Sequence, residues 1–146
     1  MTVTLTTTIN ANSQTVWNRV KKKSLLMHVM KPMARFVMED DDGLDNWVEG
    51  KTYTGKSYMF LIIPVGKRRI RLEEINENKK YIQSREHGEI GLKKWDHLIT
   101  IEPASDNTTR YTDKIKIDAG ILTLPYFLFA SLFYRHRQRR WRKLYS

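Results

Sequence analysis

The C-terminal stretch PYFLFASLFYRHRQRRWRKLYS, Pro125–Ser146, decides how the rest of the chain is organised. At about 100° per residue, Phe127, Ser131, Tyr134, Gln138, Trp141 and Tyr145 fall within roughly 40° of one line. They form a continuous stripe along one long helix, and a sheet is expected to grip it. The stretch is also strongly basic: Arg135, Arg137, Arg139, Arg140, Arg142, Lys143 and His136 crowd its second half. On the helical wheel Arg135 and Arg142 flank one side of the stripe and Arg137 the other. Arg139, Lys143, His136 and Arg140 face away. Arginines beside an aromatic stripe bury their stems and keep their charge in water. An amphipathic structural helix with a solvated basic end is therefore the favoured reading.

Net charge is +10, and the tail from Arg135 onward holds +6 of it. The basic character is thus a local property of one end, which weakens any argument that the whole protein is built to hold a polyanion. Nucleic-acid binding is disfavoured, because the basic residues spread around the helix and no groove of stacking aromatics accompanies them. A membrane surface stays open as a partner. Phe129, Leu132 and Phe133 lie off the stripe directly before the basic block, and an apolar patch beside positive charge suits anionic lipid. The same patch would suit a dimer interface or packing under other helices.

The length of 146 residues predicts a single domain, 1–146. A chain of that size buries roughly 68–70% of its unfolded surface, enough for a core without staples. There is no cysteine, hence no disulfide and no thiolate chemistry. MTVTLTTTINANSQ lacks a basic region followed by an apolar run, so no signal peptide is expected. The longest mostly apolar stretch, Ile121–Tyr134, is short of the ~20 residues a span needs. A cytoplasmic location is the expectation.

Upstream of the helix the chain is read as strands. TVTLTTTI (Thr2–Ile9) alternates with Val3, Leu5 and Ile9 in phase. Asn12 or Ser13 caps a short helix with Val16, Trp17 and Val20 on one side, and Lys21–Ser24 interrupt it. Leu25, Leu26 and Val29 predict a second short helix ending before Pro32. Arg35–Glu39 reads as strand. The acidic segment EDDDGLDN (Glu39–Asn46) fails as a calcium loop: with Gly43 sixth, Met38 would be the first ligand, and a thioether cannot fill that place. A solvated turn is expected there. From Lys51 to Asp118 almost everything reads as strand, with turns at Pro64–Gly66, Asn76–Asn78, Gly88–Gly91 and Pro103–Asn107. YMFLIIP (Tyr58–Pro64) is expected to be a strand covered on both faces. The order of strand, two short helices, a run of strands and one long helix is an α+β layout.

Two strands carry a polar constellation. Trp95, His97, Ile99 and Ile101 share one face, and Tyr111, Asp113, Ile115 and Ile117 share one face of the next. If Glu102 pairs with Thr108, His97 stands opposite Asp113, Ile99 opposite Tyr111 and Trp95 opposite Ile115. His97 and Asp113 could then hydrogen-bond, whereas a two-residue slip is expected to separate them. As a dyad, Asp113 would orient His97 as a general base or a polar anchor. As a purely structural pair they would fix register, and for catalysis that reading is favoured. Tyr81, Gln83, Arg85 and His87 alternate in a neighbouring strand, and Ile82 alone does not settle which set faces inward. There is no Gly-x-Ser-x-Gly, phosphate loop or dinucleotide fingerprint. His28, His87, His97 and His136 lack metal-ligand spacing. No metal and no cofactor are expected.

The element order, with local residues, resembles the START-like superfamily (SRPBCC), which includes polyketide cyclases/dehydrases, lipid-transfer domains and pollen-allergen proteins. The residues are Ala11 through Val16-Trp17, Trp47-Val-Glu-Gly50, Trp95-Asp-His97, Tyr111-Thr-Asp113 and Phe133-Tyr-Arg-His-Arg137, spread in order over nearly the whole chain. The resemblance implies a helix-grip fold: a curved antiparallel sheet of about six or seven strands wraps the C-terminal helix, with a cavity between them. Family functions range from lipid carriage to polyketide cyclisation and dehydration, so fold does not settle function. The first expectation is a binding module for a small hydrophobic or amphipathic, lipid- or polyketide-like ligand. Trp95, Tyr111, Phe127 and Tyr134 would supply surface, and His97 with Asp113 would fix orientation. The second is a cyclase/dehydratase-like enzyme with His97 as general base. The third is membrane or nucleic-acid contact through the basic helix.

Overall fold

The structure is a computed structural model and describes residues 1–39, 41–89 and 91–146. Asp40 of the acidic segment and Ile90 of the Gly88–Gly91 turn lie outside the described residues. The elements run β1 (Thr2–Ile9), α1 (Ser13–Val20), α2 (Lys23–Met30), β2 (Ala34–Met38), β3 (Thr52–Met59), β4 (Ile63–Asn76), β5 (Tyr81–Gly88), β6 (Lys94–Pro103), β7 (Thr109–Asp118), a 3-10 turn (Gly120–Leu122) and α3 (Thr123–Leu144). All seven strands form one antiparallel sheet in the order β1-β7-β6-β5-β4-β3-β2. This is the α+β helix-grip architecture.

Local chemistry explains most of the boundaries. The Asn12 side chain accepts from the Thr15 N–H at 2.8 Å and caps α1. Val16, Trp17 and Val20 are its buried face. Asp45 caps α2 from a distant loop, taking the Ser24 N–H at 2.9 Å and the Ser24 hydroxyl at 2.8 Å. Residues 41–46 are thus a largely exposed turn, as expected, but one tied down through Asp42 and Asp45. Asp42 accepts from Lys23 at 2.6 Å and Lys51 at 2.9 Å, and Lys23 is buried. Those two ammonium groups hold the Asp42 carboxyl well below the usual range.

The β3–β4 turn corrects the sequence reading. The chain reverses at Phe60–Ile62, in the middle of YMFLIIP, and Pro64–Gly66 lie inside β4. Phe60 and Leu61 adopt φ of 50° and 70°, a conformation that turn rules assign to glycine. Gly66 (φ 92°) sits instead at a bulge, where Val65 and Gly66 together oppose Ser57. YMFLIIP is consequently a hairpin end, and Phe60, Ile62 and Ile63 are exposed. A second bulge falls between Leu72 and Glu74. The two bulges bend the long strands and let the sheet wrap. Gly55 is required by close approach: a Cβ there would strike the Val37 carbonyl oxygen and come within 2.7 Å of the Phe36 ring.

Helix α3 lies across the sheet and under α2. Gln138 donates to the Leu5 carbonyl at 2.8 Å and Arg142 to the Thr7 hydroxyl at 2.8 Å, fixing the helix on β1. Arg140 donates to the His28 carbonyl at 2.9 Å, and the His136 ring lies 2.6 Å from the Lys31 carbonyl. Arg140 and His136 therefore do not face away from the fold. They bind the C-terminal carbonyls of α2, groups a helix end leaves without intrahelical partners. The buried residues of α3 are Ala130, Phe133, Tyr134, Arg137, Gln138 and Trp141. The gripped stripe keeps Tyr134, Gln138 and Trp141 but is rotated toward Phe133 and Arg137, because α2 covers that flank. Phe127, Ser131 and Tyr145 are half-buried.

A candidate ligand cavity between the sheet and α3

Inward-facing residues of β4, β5 and β6, together with α2 and α3, enclose a cavity of about 440 Å³. Most of its wall is apolar: Leu25, Met30, Phe36, Ile70, Leu72, Ile82, among others. The rim includes Leu122, Pro125 and Lys67, all exposed, so the cavity reaches the surface beside the start of α3. Its inner end is polar and aromatic, with His97, Tyr111, Tyr134 and Arg137.

The β6–β7 register differs from expectation by two residues. Trp95 pairs with Ile117, His97 with Ile115, Ile99 with Asp113 and Ile101 with Tyr111. The slip arises because Pro103 pairs with Thr109, which moves the five-residue loop one position along the chain, from 103–107 to 104–108. It does not separate the polar pair. His97 Nε2 lies 2.7 Å from Asp113 Oδ1 across the diagonal, a distance that two long side chains span. Asp113 also accepts from the Tyr111 hydroxyl at 3.2 Å and from Gln138 at 3.0 Å. Burial pushes the Asp113 carboxyl up, but the His97 hydrogen bond, the His97 and Arg137 charges and Gln138 together hold it below the ordinary aspartate value. Burial, then the neighbouring Asp113 charge, pushes the Tyr111 hydroxyl well up. Burial likewise raises Tyr134, so both phenols stay protonated near neutral pH.

Of the six residues expected to meet a ligand, Trp95, His97, Tyr111 and Tyr134 line the cavity. Asp113 does not; it stands behind His97 as its support. Phe127 does not either, since the rotation of α3 carries it to the helix flank. Trp95 Nε1 donates to the Tyr134 hydroxyl at 3.2 Å, and the His97 and Tyr134 rings meet edge-on at 4.9 Å. In β5 the inward set is Ile82, Ser84 and Glu86, while Tyr81 and Gln83 are half-buried and Arg85 and His87 exposed. Ser84 and Glu86 line the cavity and were missed. The phase of Ile82 was the available signal. Arg68 and Arg137 were missed as well. Arg68 Nε lies 3.0 Å from Glu86 Oε1, although no N–H points along that line, and its guanidinium stacks over Trp95 at 4.6 Å. No local sequence pattern marks Arg137, whose burial depends on where α2 sits.

The apolar patch expected on α3 is also rearranged. Phe133 is buried, Phe129 is half-buried and stacked on it at 5.4 Å, and only Leu132 is exposed. The exposed stripe is Ile121, Leu124, Leu128 and Leu132, continued by Arg135 and Arg139. No helix among the described residues is long and apolar enough to cross a membrane.

A family model described as a domain of unknown function, DUF8410, matches residues 7–145. The chain belongs to that family. No curated protein matches this DUF8410 chain by sequence. Among solved structures it is similar to a START superfamily protein from Mycobacterium smegmatis, with a TM-score of 0.71 at 11% identity, covering 99% of this chain and 96% of that one. It is similar to the di-domain ARO/CYC protein BexL from the BE-7585A biosynthetic pathway, with a TM-score of 0.71 at 13% identity, covering 98% of this chain and 45% of that one. It is also similar to the Zhui aromatase/cyclase from Streptomyces sp. R1128, with a TM-score of 0.57 at 12% identity over 82% and 70% of the two chains. The fold of this DUF8410 member is START-like.

Proposed function

We propose that the protein binds a small hydrophobic or amphipathic molecule in the cavity between the sheet and α3. The observation that carries this reading is the cavity itself: about 440 Å³, walled mostly by apolar side chains, with a smaller set of polar groups that includes His97, Tyr134 and Arg137. Small-molecule sites have that size and that distribution of polarity. The first experiment is native mass spectrometry of protein purified from its own cells, with extraction of whatever stays bound. A recurrent hydrophobic species supports the reading and identifies its chemistry. A cavity-blocking variant makes the test specific. Ser84→Phe puts a ring into the cavity from its sheet wall and should weaken binding of the neutral dye N-phenyl-1-naphthylamine at least tenfold, with melting temperature held or raised. Unchanged dye binding in that variant would remove the cavity from the account.

The outer face of the cavity mouth supports contact with an anionic lipid surface from which such a ligand could be loaded. Ile121, Leu124, Leu128 and Leu132 are exposed in line with Arg135 and Arg139, and the apolar β3–β4 hairpin end is exposed as well. Leu128→Glu with Leu132→Glu should cut co-sedimentation with phosphatidylglycerol vesicles by about tenfold at low salt. Ser84→Phe should leave it intact.

A second reading is favoured by the dyad. His97 binds Asp113 through Nε2, and Nδ1 makes no hydrogen bond among the described residues. A histidine so oriented is equipped to act as a general base on a bound polyketide-like substrate.

A further inference from the structure

Among the described residues, each buried Lys, Arg, His, Asp or Glu side chain but one has a partner of the other kind within ion-pair distance. Lys23 pairs with Asp42 at 2.6 Å, Glu86 with Arg68 at 3.0 Å, and Asp113 with His97 at 2.7 Å. Arg137 is 7% exposed and lines the cavity, yet it forms no ion pair and no hydrogen bond among the described residues. Its Nε is enclosed without an acceptor. What it has are aromatic faces, Tyr134 at 4.7 Å and Phe133 at 5.7 Å from the guanidinium carbon. These stabilise a cation but satisfy none of its N–H groups. Asp113 gives it no hydrogen bond: its two oxygens are held by His97, Tyr111 and Gln138.

The Glu86 carboxylate lines the same cavity, but it lies against the Arg68 guanidinium and forms no ion pair with Arg137. The Tyr134 hydroxyl accepts from Trp95, and its own proton has no acceptor among the described residues. The Asp113 and Glu86 carboxylates favour the Arg137 charge from nearby, but buried N–H groups without acceptors are costly, and the planar fork of donors matches an oxyanion better than any neutral group. We propose that the inner end of the cavity is an oxyanion subsite, in which Arg137, assisted by the Tyr134 hydroxyl, binds the acidic head of an amphipathic ligand whose apolar body fills the rest. This rests on the ligand-binding reading above and narrows it to ligands carrying a carboxylate or a comparable acidic oxygen.

Two dyes with one skeleton test it. 8-Anilinonaphthalene-1-sulfonate carries a sulfonate oxyanion that N-phenyl-1-naphthylamine lacks. The wild-type protein should bind the sulfonate at least tenfold more tightly. Arg137→Met, which keeps an unbranched apolar stem, should lose that preference while holding the neutral dye within a factor of about three. Arg137→Lys should keep part of it. Lys143→Gln, on the exposed basic end of α3, should change nothing, which separates the subsite from surface attraction. The same order should appear with dodecanoate against dodecan-1-ol as competitors, a wild-type comparison that needs no variant to fold. Equal binding of charged and neutral members by the wild-type protein overturns the subsite and leaves the cavity reading standing. Binding of neither dye and neither competitor overturns both.

Discussion

Asp113→Ala should lower stability by about 3–5 kcal/mol, the usual cost of removing one partner from a buried ionic or hydrogen-bonded pair. A domain of this size holds only about 5–15 kcal/mol in total, so the variant should unfold at much lower urea or fail to accumulate. The carboxylate is fully buried and accepts from three side chains on three elements: His97 of β6, Tyr111 of β7 and Gln138 of α3. Removing it leaves donors facing a void, and each orphaned buried donor costs about 1–3 kcal/mol. Asp113→Asn should cost less. Its amide oxygen still serves His97 and Tyr111, while its NH2 opposes Gln138, which cannot turn its amide without losing the Leu5 carbonyl. A loss below about 1 kcal/mol for Asp113→Ala would show that the pair adds nothing to the fold.

The same group sets an acid limb. Its folded carboxyl is held below the ordinary value of 3.8. A group depressed on folding contributes stability that is complete above its unfolded value and is lost as pH falls through the folded one. The wild-type protein should therefore weaken relative to Asp113→Asn as pH is taken below about 3.8. Urea midpoints of the two proteins between pH 6 and pH 3 measure this, and parallel curves would contradict it.

His97→Gln separates the two functional readings by the largest margin available. A binding module should keep its affinity within about tenfold, because glutamine can still donate to Asp113 and the apolar wall is unchanged. An enzyme that uses His97 as its base should lose roughly 10²–10⁴-fold in rate, the usual share of general acid–base catalysis. The measurement pairs dye affinity with turnover of the co-purifying species, followed by mass. Retained affinity with no reaction in either protein supports the binder. A reaction in the wild-type protein that collapses in the variant while affinity holds makes the dyad catalytic.

Much of this was legible from period and punctuation. The alternation Thr2–Ile9, the Asn12 cap, the long strands after Lys51 and the 3–4 spacing along Tyr134, Gln138 and Trp141 each state a local preference that the sheet and α3 agree with. The inward phase of Trp95, His97, Tyr111 and Asp113 follows from the two-residue repeat of a strand alone. Register was not legible, because the loop after Pro103 allows two pairings that keep the same faces inward; only the whole sheet selects between them. His97 and Asp113 met regardless, since their reach exceeds one step of the ladder. The turn at Phe60–Ile62 was hidden because its positive φ angles belong to non-glycine residues, held by the strands on either side. Arg137 is the clearest limit. A helical wheel gives its angle but not what occupies that side, and α2 turns a flanking arginine into a buried one with the cavity beside it. The sequence by itself determined the elements and the faces they bury, because those are local in the chain. Only the tertiary structure decided which charges went without partners, because a counter-ion is a matter of distance in space.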